Sequence, residues 1–239
     1  MSKCVLKEAT YGILHRVYTG FCRRLLRIMD NYVDQNICGQ SLEEYVPSIF
    51  RDDVNGIGST GSQATHYLIL KHIFTCVELK SSDTFLDVGC GKGRVLAFLV
   101  KEKYSCEIYG VEHNESVGIM ASEWSKKYSN VHIIIKNAFS LDYNAFSVLF
   151  MCRPFLPKTF LEFIEYLEET LIHSIVLIYW VDQQSGYLLM NRLGWKMQTR
   201  KTLNRIYGIK IAESPQAYSI WNYDPKKREN KEHGPKLVL

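Results

Sequence analysis

Thr84-Phe85-Leu86-Asp87-Val88-Gly89-Cys90-Gly91-Lys92-Gly93-Arg94 is the stretch that decides the fold. Its first five residues form a short, mostly apolar run, the signature of a buried strand. Three glycines at alternate positions follow, and Val95-Leu96-Ala97-Phe98-Leu99-Val100 then opens a helix. Strand, tight glycine turn and helix start make the arrangement that cradles a nucleotide-type ligand. Glycines let the backbone turn sharply and let a ligand lie against bare main chain. The first N–H groups of the helix face an anionic group.

The glycine spacing narrows the ligand. A dinucleotide site wants G-x-G-x-x-G, with a third glycine that brings helix and strand together. In this chain Arg94 stands at that third position and the glycine arrives one residue early, at Gly93. A phosphate-gripping P-loop is excluded, because Gly91-Lys92-Gly93 lacks its spacing and its hydroxyl.

Downstream of this turn, short apolar strands alternate with amphipathic helices. Strands are expected at 84–89, 107–113, 131–137, 147–152 and 174–180. Helices are expected at 94–103, 115–128, 158–171 and 184–193, with 195–206 and 218–223 as two closing strands. Such alternation predicts a parallel sheet covered on both faces.

Upstream, 5–33 reads as one long helix or two short ones, with a break near Gly12 or Gly20. Leu6, Ile13, Val17, Phe21, Leu25 and Met29 recur at helical spacing, with Arg16, Arg23 and Arg27 on a separate stripe. Two readings stay open: a helix packed on the core or on a dimer partner, or a basic amphipathic surface for peripheral membrane contact or an acidic substrate. Ser41 before Glu43-Glu44 predicts a short capped helix over 41–49. Residues 53–62 form a glycine-rich loop, and 63–79 a helix with Tyr67, Leu70, Ile73, Phe74 and Val77 on one face. The expected organisation is a helical cap and lid segment over 1–80, an α/β domain over 81–224 and a charged tail over 225–239.

The net charge of +4 is uneven. Residues 1–29 hold six Lys or Arg against Glu8 alone, so the rest of the chain is about neutral. That balance argues against a nucleic-acid surface over the main body. The seven cysteines are scattered, with no C-x-x-C pair. They are expected to be reduced thiols in a cytoplasmic protein, with no metal site. No apolar run is long enough to span a membrane, and the N-terminus lacks the order of a secretory signal.

The pattern Asp-x-Gly-x-Gly-x-Gly resembles the first motif of class I S-adenosylmethionine-dependent methyltransferases, and the resemblance extends over about 83–223. It implies a doubly wound, mostly parallel seven-stranded sheet whose last pair closes antiparallel; the N-terminal helical cap lies outside the resemblance and is read from the upstream pattern alone. It implies that the turn at Gly89, Gly91 and Gly93 lies against the methionine part of S-adenosylmethionine, with Cys90 among the cofactor-binding residues, and that Asp87 helps hold its amino group directly or through water. Glu112, ending the second strand, would accept both ribose hydroxyls. His113 and Asn114 would lie near adenine. At the third strand end, Asn137-Ala138-Phe139 would line adenine, with Asn137 in place of the family's usual acid and Phe139 packing on the ring.

The acceptor side is less legible. Amino-methylating members often carry Asn/Asp-Pro-Pro-Tyr/Phe at the fourth strand end. In this chain the sequence is Arg153-Pro154-Phe155. A guanidinium offers donors only. It suits a carboxylate or phosphate on the substrate, or it simply caps the strand end. Asp142, Tyr143, Tyr179, Asp182 and His66 are the candidates for a general base, none singled out. Gly58, Ser59, Thr60, Gly61, Gln63 and Thr65 are expected to form a lid. The resemblance points to methyl transfer onto a small-molecule or protein acceptor. A cofactor-binding module without catalysis, an RNA methyltransferase and a dinucleotide oxidoreductase are the alternatives.

Overall fold

The computed structural model describes residues 3–228, and side chains within that range except those of 3–13 and His15. The expectations for the side chains of Leu6 and Ile13, and for the tail beyond 228, lie outside what is described. Seven strands form one sheet: β1 (Thr84–Val88), β2 (Glu107–Glu112), β3 (Val131–Ile135), β4 (Val148–Cys152), β5 (Ile175–Trp180), β6 (Trp195–Leu203) and β7 (Gln216–Tyr223). Their order across the sheet is β3-β2-β1-β4-β5-β7-β6. The first five are parallel, and β7 runs antiparallel to both neighbours. Sheet order reverses between β1 and β4, which opens the crevice where ligands of such sheets bind.

The central strands are buried on both faces, so β1 and β4 read as nearly continuous apolar runs. One face is covered by α2 (Tyr67–Phe74) and α3 (Arg94–Lys101), with Phe74, Phe85, Phe98 and Phe150 in contact at its centre. The other is covered by α5 (Pro157–Thr170), whose Phe160, Phe163, Ile164 and Leu167 recur at helical spacing and point inward. Proline at its first position fits a helix start. Helix α4 (Glu115–Ser125) lies against β3 beyond this pair.

The upstream segment is a single helix, α1 (Lys3–Cys38), running through both Gly12 and Gly20. An added Cβ at Gly20 would meet nothing within 4 Å, so no packing demand breaks the helix there. Cys22, Leu26, Asp30, Asp34 and Cys38 are its buried stripe, and α1 lies across α3.

Two expected helices are absent. Residues 41–49 form an extended strap, because their polar groups are drawn to the core: Asp34 accepts the Leu42 N–H (2.9 Å), Glu43 reaches Arg94 (3.1 Å) and Val46 pairs with Ser62. Residues 184–193 hold only short 3₁₀ turns, Asp182–Gln184 and Gly186–Leu189. Asp182 is claimed by Arg200 through two bonds (2.8 and 2.9 Å), and Asn191 is left-handed, which ends any helix. The helix expected over 63–79 is confined to α2, and the first closing strand breaks at Leu203 into a small hairpin, Arg205–Ile206 with Ile209–Lys210. Among the described residues, no helix is long and apolar enough to cross a membrane.

Candidate active site

A cavity of about 290 Å³ opens at the C-terminal ends of β1 and β2. Asp87, Gly89, Cys90 and Gly91 line it from β1 and the turn that follows. Glu112 and His113 line it from the end of β2, and Asn137, Ala138 and Phe139 from the end of β3. Of the cofactor residues expected from sequence, Gly93 alone does not line it.

Each glycine of the turn has a left-handed backbone, with φ of +75°, +57° and +88° at Gly89, Gly91 and Gly93. Their surroundings differ. A Cβ at Gly91 would lie 2.4 Å from Ser62 Oγ, in the glycine-rich loop. A Cβ at Gly93 would lie 2.9 Å from the Trp124 ring. Gly93 therefore serves helix packing: Trp124 of α4 presses on it and donates to the Lys92 carbonyl (2.9 Å).

Glu112 does more than line the cavity. Its two oxygens accept the Gly91 N–H (2.9 Å) and the Asn114 N–H (2.8 Å), pinning the glycine turn to the end of β2. Each carboxylate oxygen keeps a further lone pair for a ligand hydroxyl. Asn137 accepts the Phe139 N–H (3.0 Å), which shapes the turn at the end of β3. Asp87 is 2% exposed, and among the described residues its carboxyl has no hydrogen-bond or ion-pair partner. Burial, then the nearby Glu112 charge, pushes its pKa well above the usual carboxylate range. A buried carboxyl facing a cavity without a partner is a place for a cation.

The glycine-rich loop forms the roof. It is stitched to the segment after β4 by the Thr60 hydroxyl to the Arg153 carbonyl (2.7 Å), Thr60 N–H to Pro154 (3.1 Å) and Leu156 N–H to Gly58 (2.8 Å). Gly58, Ser59, Gly61, Gln63 and Thr65 line the cavity, whereas Thr60 turns to a second cavity beside it. The strap over 41–49 and the residue after it complete the enclosure through Leu42 and Phe50, and the Lys92 ammonium donates to the Glu44 carbonyl (2.9 Å). Sequence reading missed the strap, because its backbone is set by distant partners.

Arg94, which broke the dinucleotide pattern, is buried in a charge network. Its guanidinium holds Asp34 (2.6 and 3.2 Å), Asp30 (3.4 Å) and Glu43 (3.1 Å). Burial disfavours its charge, but the Asp34 hydrogen bonds and the surrounding carboxylates raise its pKa on balance. Asp30 also binds His66 Nδ1, and Asp34 accepts the Tyr67 hydroxyl (2.9 Å). Asp30, Glu43 and His66 lie close enough together to hold a metal ion. The Arg94 guanidinium already supplies positive charge to both carboxylates of that group. The sequence signal for this network was Asp30 and Asp34, four residues apart, in a helix whose N-terminal part is basic.

The candidate bases scatter. Asp142 caps a turn, Tyr143 is buried and donates to the Ala138 carbonyl (3.0 Å), Tyr179 stacks on Phe160, and Asp182 is held by Arg200. None of them, nor His66, lines the first cavity.

Residues 79–222 match the family model described as a methyltransferase domain. The chain belongs to the class I S-adenosylmethionine-dependent methyltransferases. The methyltransferase has the fold of several solved relatives. A methyltransferase from Pyrococcus furiosus superposes with a TM-score of 0.54 at 13% identity, over 84% of this chain and 97% of the other. An RNA methyltransferase from Salinibacter ruber, crystallised with S-adenosyl-L-homocysteine, gives 0.51 at 14%, over 67% and 94%. An S-adenosylmethionine-dependent O-methyltransferase from Thermotoga maritima gives 0.51 at 16%, over 68% and 67%. At these identities the likeness is one of fold. No curated protein sequence matches the methyltransferase.

Proposed function

We propose that S-adenosylmethionine binds along the ends of β1, β2 and β3 and that its methyl group passes to a small-molecule acceptor, with a protein side chain as the second possibility. The buried carboxyl of Asp87 beside the glycine turn, without a partner among the described residues, carries this reading. It fits an ammonium group, which would restore the carboxylate that burial disfavours. Gly89, Cys90 and Gly91 offer bare main chain to the methionine part. Glu112, already fixed by two backbone N–H groups, would accept the ribose hydroxyls. His113, Asn137, Ala138 and Phe139 would line adenine, the Phe139 ring being held among Phe155, Phe163 and Tyr166.

Bound S-adenosylmethionine supplies an already activated methyl donor, so the chain's work is alignment and exclusion of water. The roof over 55–62 and the strap over 41–49 are suited to both tasks. The near-neutral main body favours a small molecule or protein over nucleic acid as acceptor.

Isothermal titration with S-adenosylhomocysteine tests the cofactor assignment. Saturable heat is expected, and Gly91→Arg should abolish it, since even a Cβ there collides with Ser62. Heat from neither S-adenosylhomocysteine nor S-adenosylmethionine would refute it. Incubating cell extract with radiolabelled cofactor and enzyme, then fractionating, tests the acceptor class. Label in the RNA fraction would place nucleic acid ahead of small molecules and proteins as the acceptor.

A further inference from the structure

The second cavity, of about 570 Å³, lies over the ends of β4 and β5 and shares Gly61, Gln63, Thr65 and Cys152 with the first. We propose that it is the acceptor site of this methyltransferase and that it takes a small organic acid, whose carboxylate is held by Arg153. This rests on the cofactor assignment above.

Charge is the first argument. Arg51, His66 and Arg153 line the cavity, and among the described residues no Asp or Glu does. Arg51 is engaged by Asp53 (2.8 Å), and His66 by Asp30. The Arg153 guanidinium has no hydrogen-bond or ion-pair partner among the described residues. Its charge is felt beside it, where it opposes the burial that pushes the Cys152 thiol up to about 11. An unpaired guanidinium in a pocket whose described lining has no carboxylate selects for an anion, and its planar fork matches a carboxylate with two parallel bonds.

Backbone strain is the second argument. Arg153 and Val181 stand immediately after β4 and β5, and both are left-handed, with φ of +44° and +60°. This region is uncommon for arginine and costly for a β-branched residue. Strained residues persist where the surroundings over-determine them, and they cluster at binding sites. The Thr60 hydroxyl holds the Arg153 carbonyl, so the roof of the cofactor cavity also fixes the anchor of the second. The two outliers follow adjacent parallel strands and line one pocket.

Shape is the third. Tyr45, Ile69, Trp180 and Ile211 give the cavity apolar walls. The fitting occupant is an amphipathic acid, with its carboxylate on Arg153 and its apolar body on Trp180. Its other end, a hydroxyl, would reach the shared wall, where its oxygen would bond to the methyl carbon as the sulfur–methyl bond breaks, with S-adenosylhomocysteine as leaving group and the hydroxyl proton passing to water.

The test uses the intact chain saturated with S-adenosylhomocysteine, titrated with 4-hydroxyphenylacetate and with its neutral amide. The acid should bind saturably, at least about tenfold more tightly than the amide. Arg153→Gln should erase that difference and Arg153→Lys restore part of it. Both should leave affinity for S-adenosylhomocysteine within about twofold and leave the thermal midpoint in place. Arg51→Gln should keep the preference for the acid. Equal binding of acid and amide, no saturable binding of the acid, or an unchanged preference in Arg153→Gln would overturn the proposal. Inorganic phosphate binding as tightly as the acid would overturn the organic-acid assignment. Absence of S-adenosylhomocysteine binding by the wild type is a separate result and refutes the cofactor assignment instead.

Discussion

At the residue scale, Asp87 is the most informative group in the site. Its carboxyl titrates above the ordinary range because burial, and then Glu112, disfavour its charge. In the unliganded protein the native state therefore holds the proton more tightly than the unfolded chain. The stability this contributes is fully present below the unfolded carboxylate pKa and is lost as pH rises through the raised native value. Cofactor binding as proposed would have the opposite sign, since an ammonium on Asp87 would need the charged carboxylate. Affinity for S-adenosylhomocysteine should rise as pH rises through that value, and Asp87→Asn should flatten the dependence. A charge-assisted hydrogen bond of roughly 1.5–3 kcal/mol implies an affinity loss of about tenfold to a hundredfold for Asp87→Asn at neutral pH. Titration calorimetry at several pH values checks both, and an unaltered pH profile in the variant would remove Asp87 from the site. The motif around Asp87 was readable from sequence because its chemistry is local: strand, turn and helix follow within eleven residues. The distinct task of Gly93 was not, since it depends on Trp124, thirty-one residues away and on another helix.

At the scale of elements, the roof over 55–62 joins the two cavities. Gly58 is its tightest point, with φ of +106° and a would-be Cβ 2.5 Å from the Phe50 carbonyl oxygen. Gly58→Ala cannot be absorbed by a side-chain rotation, because the obstacle is backbone. The roof should shift locally at a cost of about 1–3 kcal/mol. Affinity for S-adenosylhomocysteine should then fall by about tenfold while the core sheet stays folded. Replacing 55–62 with a neutral linker should do at least as much, and unchanged affinity in that variant would end the lid assignment. Strands and helices of the core were legible because burial imposes periods of two and of 3.6. The strap and the region after β5 were not. Their short-range signals, Ser41 before two acids and an amphipathic run after Gln184, are overruled by Asp34, Arg94 and Arg200 acting from elsewhere in the chain.

At the scale of the whole molecule, the Arg94 network determines whether α1 belongs to the catalytic fold or merely decorates it. Arg94 is the first residue of α3, directly after the glycine turn, and its partners Asp30 and Asp34 lie on α1. The side chains of Arg94, Asp30 and Asp34 are 1%, 2% and 0% exposed, so screening by water is weak. Removing one partner of such a group strands buried charge and costs about 3–5 kcal/mol. For a chain of this length each kcal/mol corresponds to roughly 2–4 °C, so Arg94→Met should lower Tm by about 6–20 °C. Asp34→Asn removes charge from the same network but leaves the Tyr67 and Leu42 bonds possible. The two substitutions together should therefore destabilise by less than the sum of their separate effects. The network also touches the site, because Arg94 positions the helix whose preceding turn Glu112 pins. Saturating S-adenosylhomocysteine, at about a hundred times Kd, should raise stability by about 2.7 kcal/mol in the wild type. In Arg94→Met that gain should shrink, since part of it must go into re-forming the turn. Equal gains in both proteins, read by thermal melting, would mean that α1 stabilises the fold without shaping the cofactor turn.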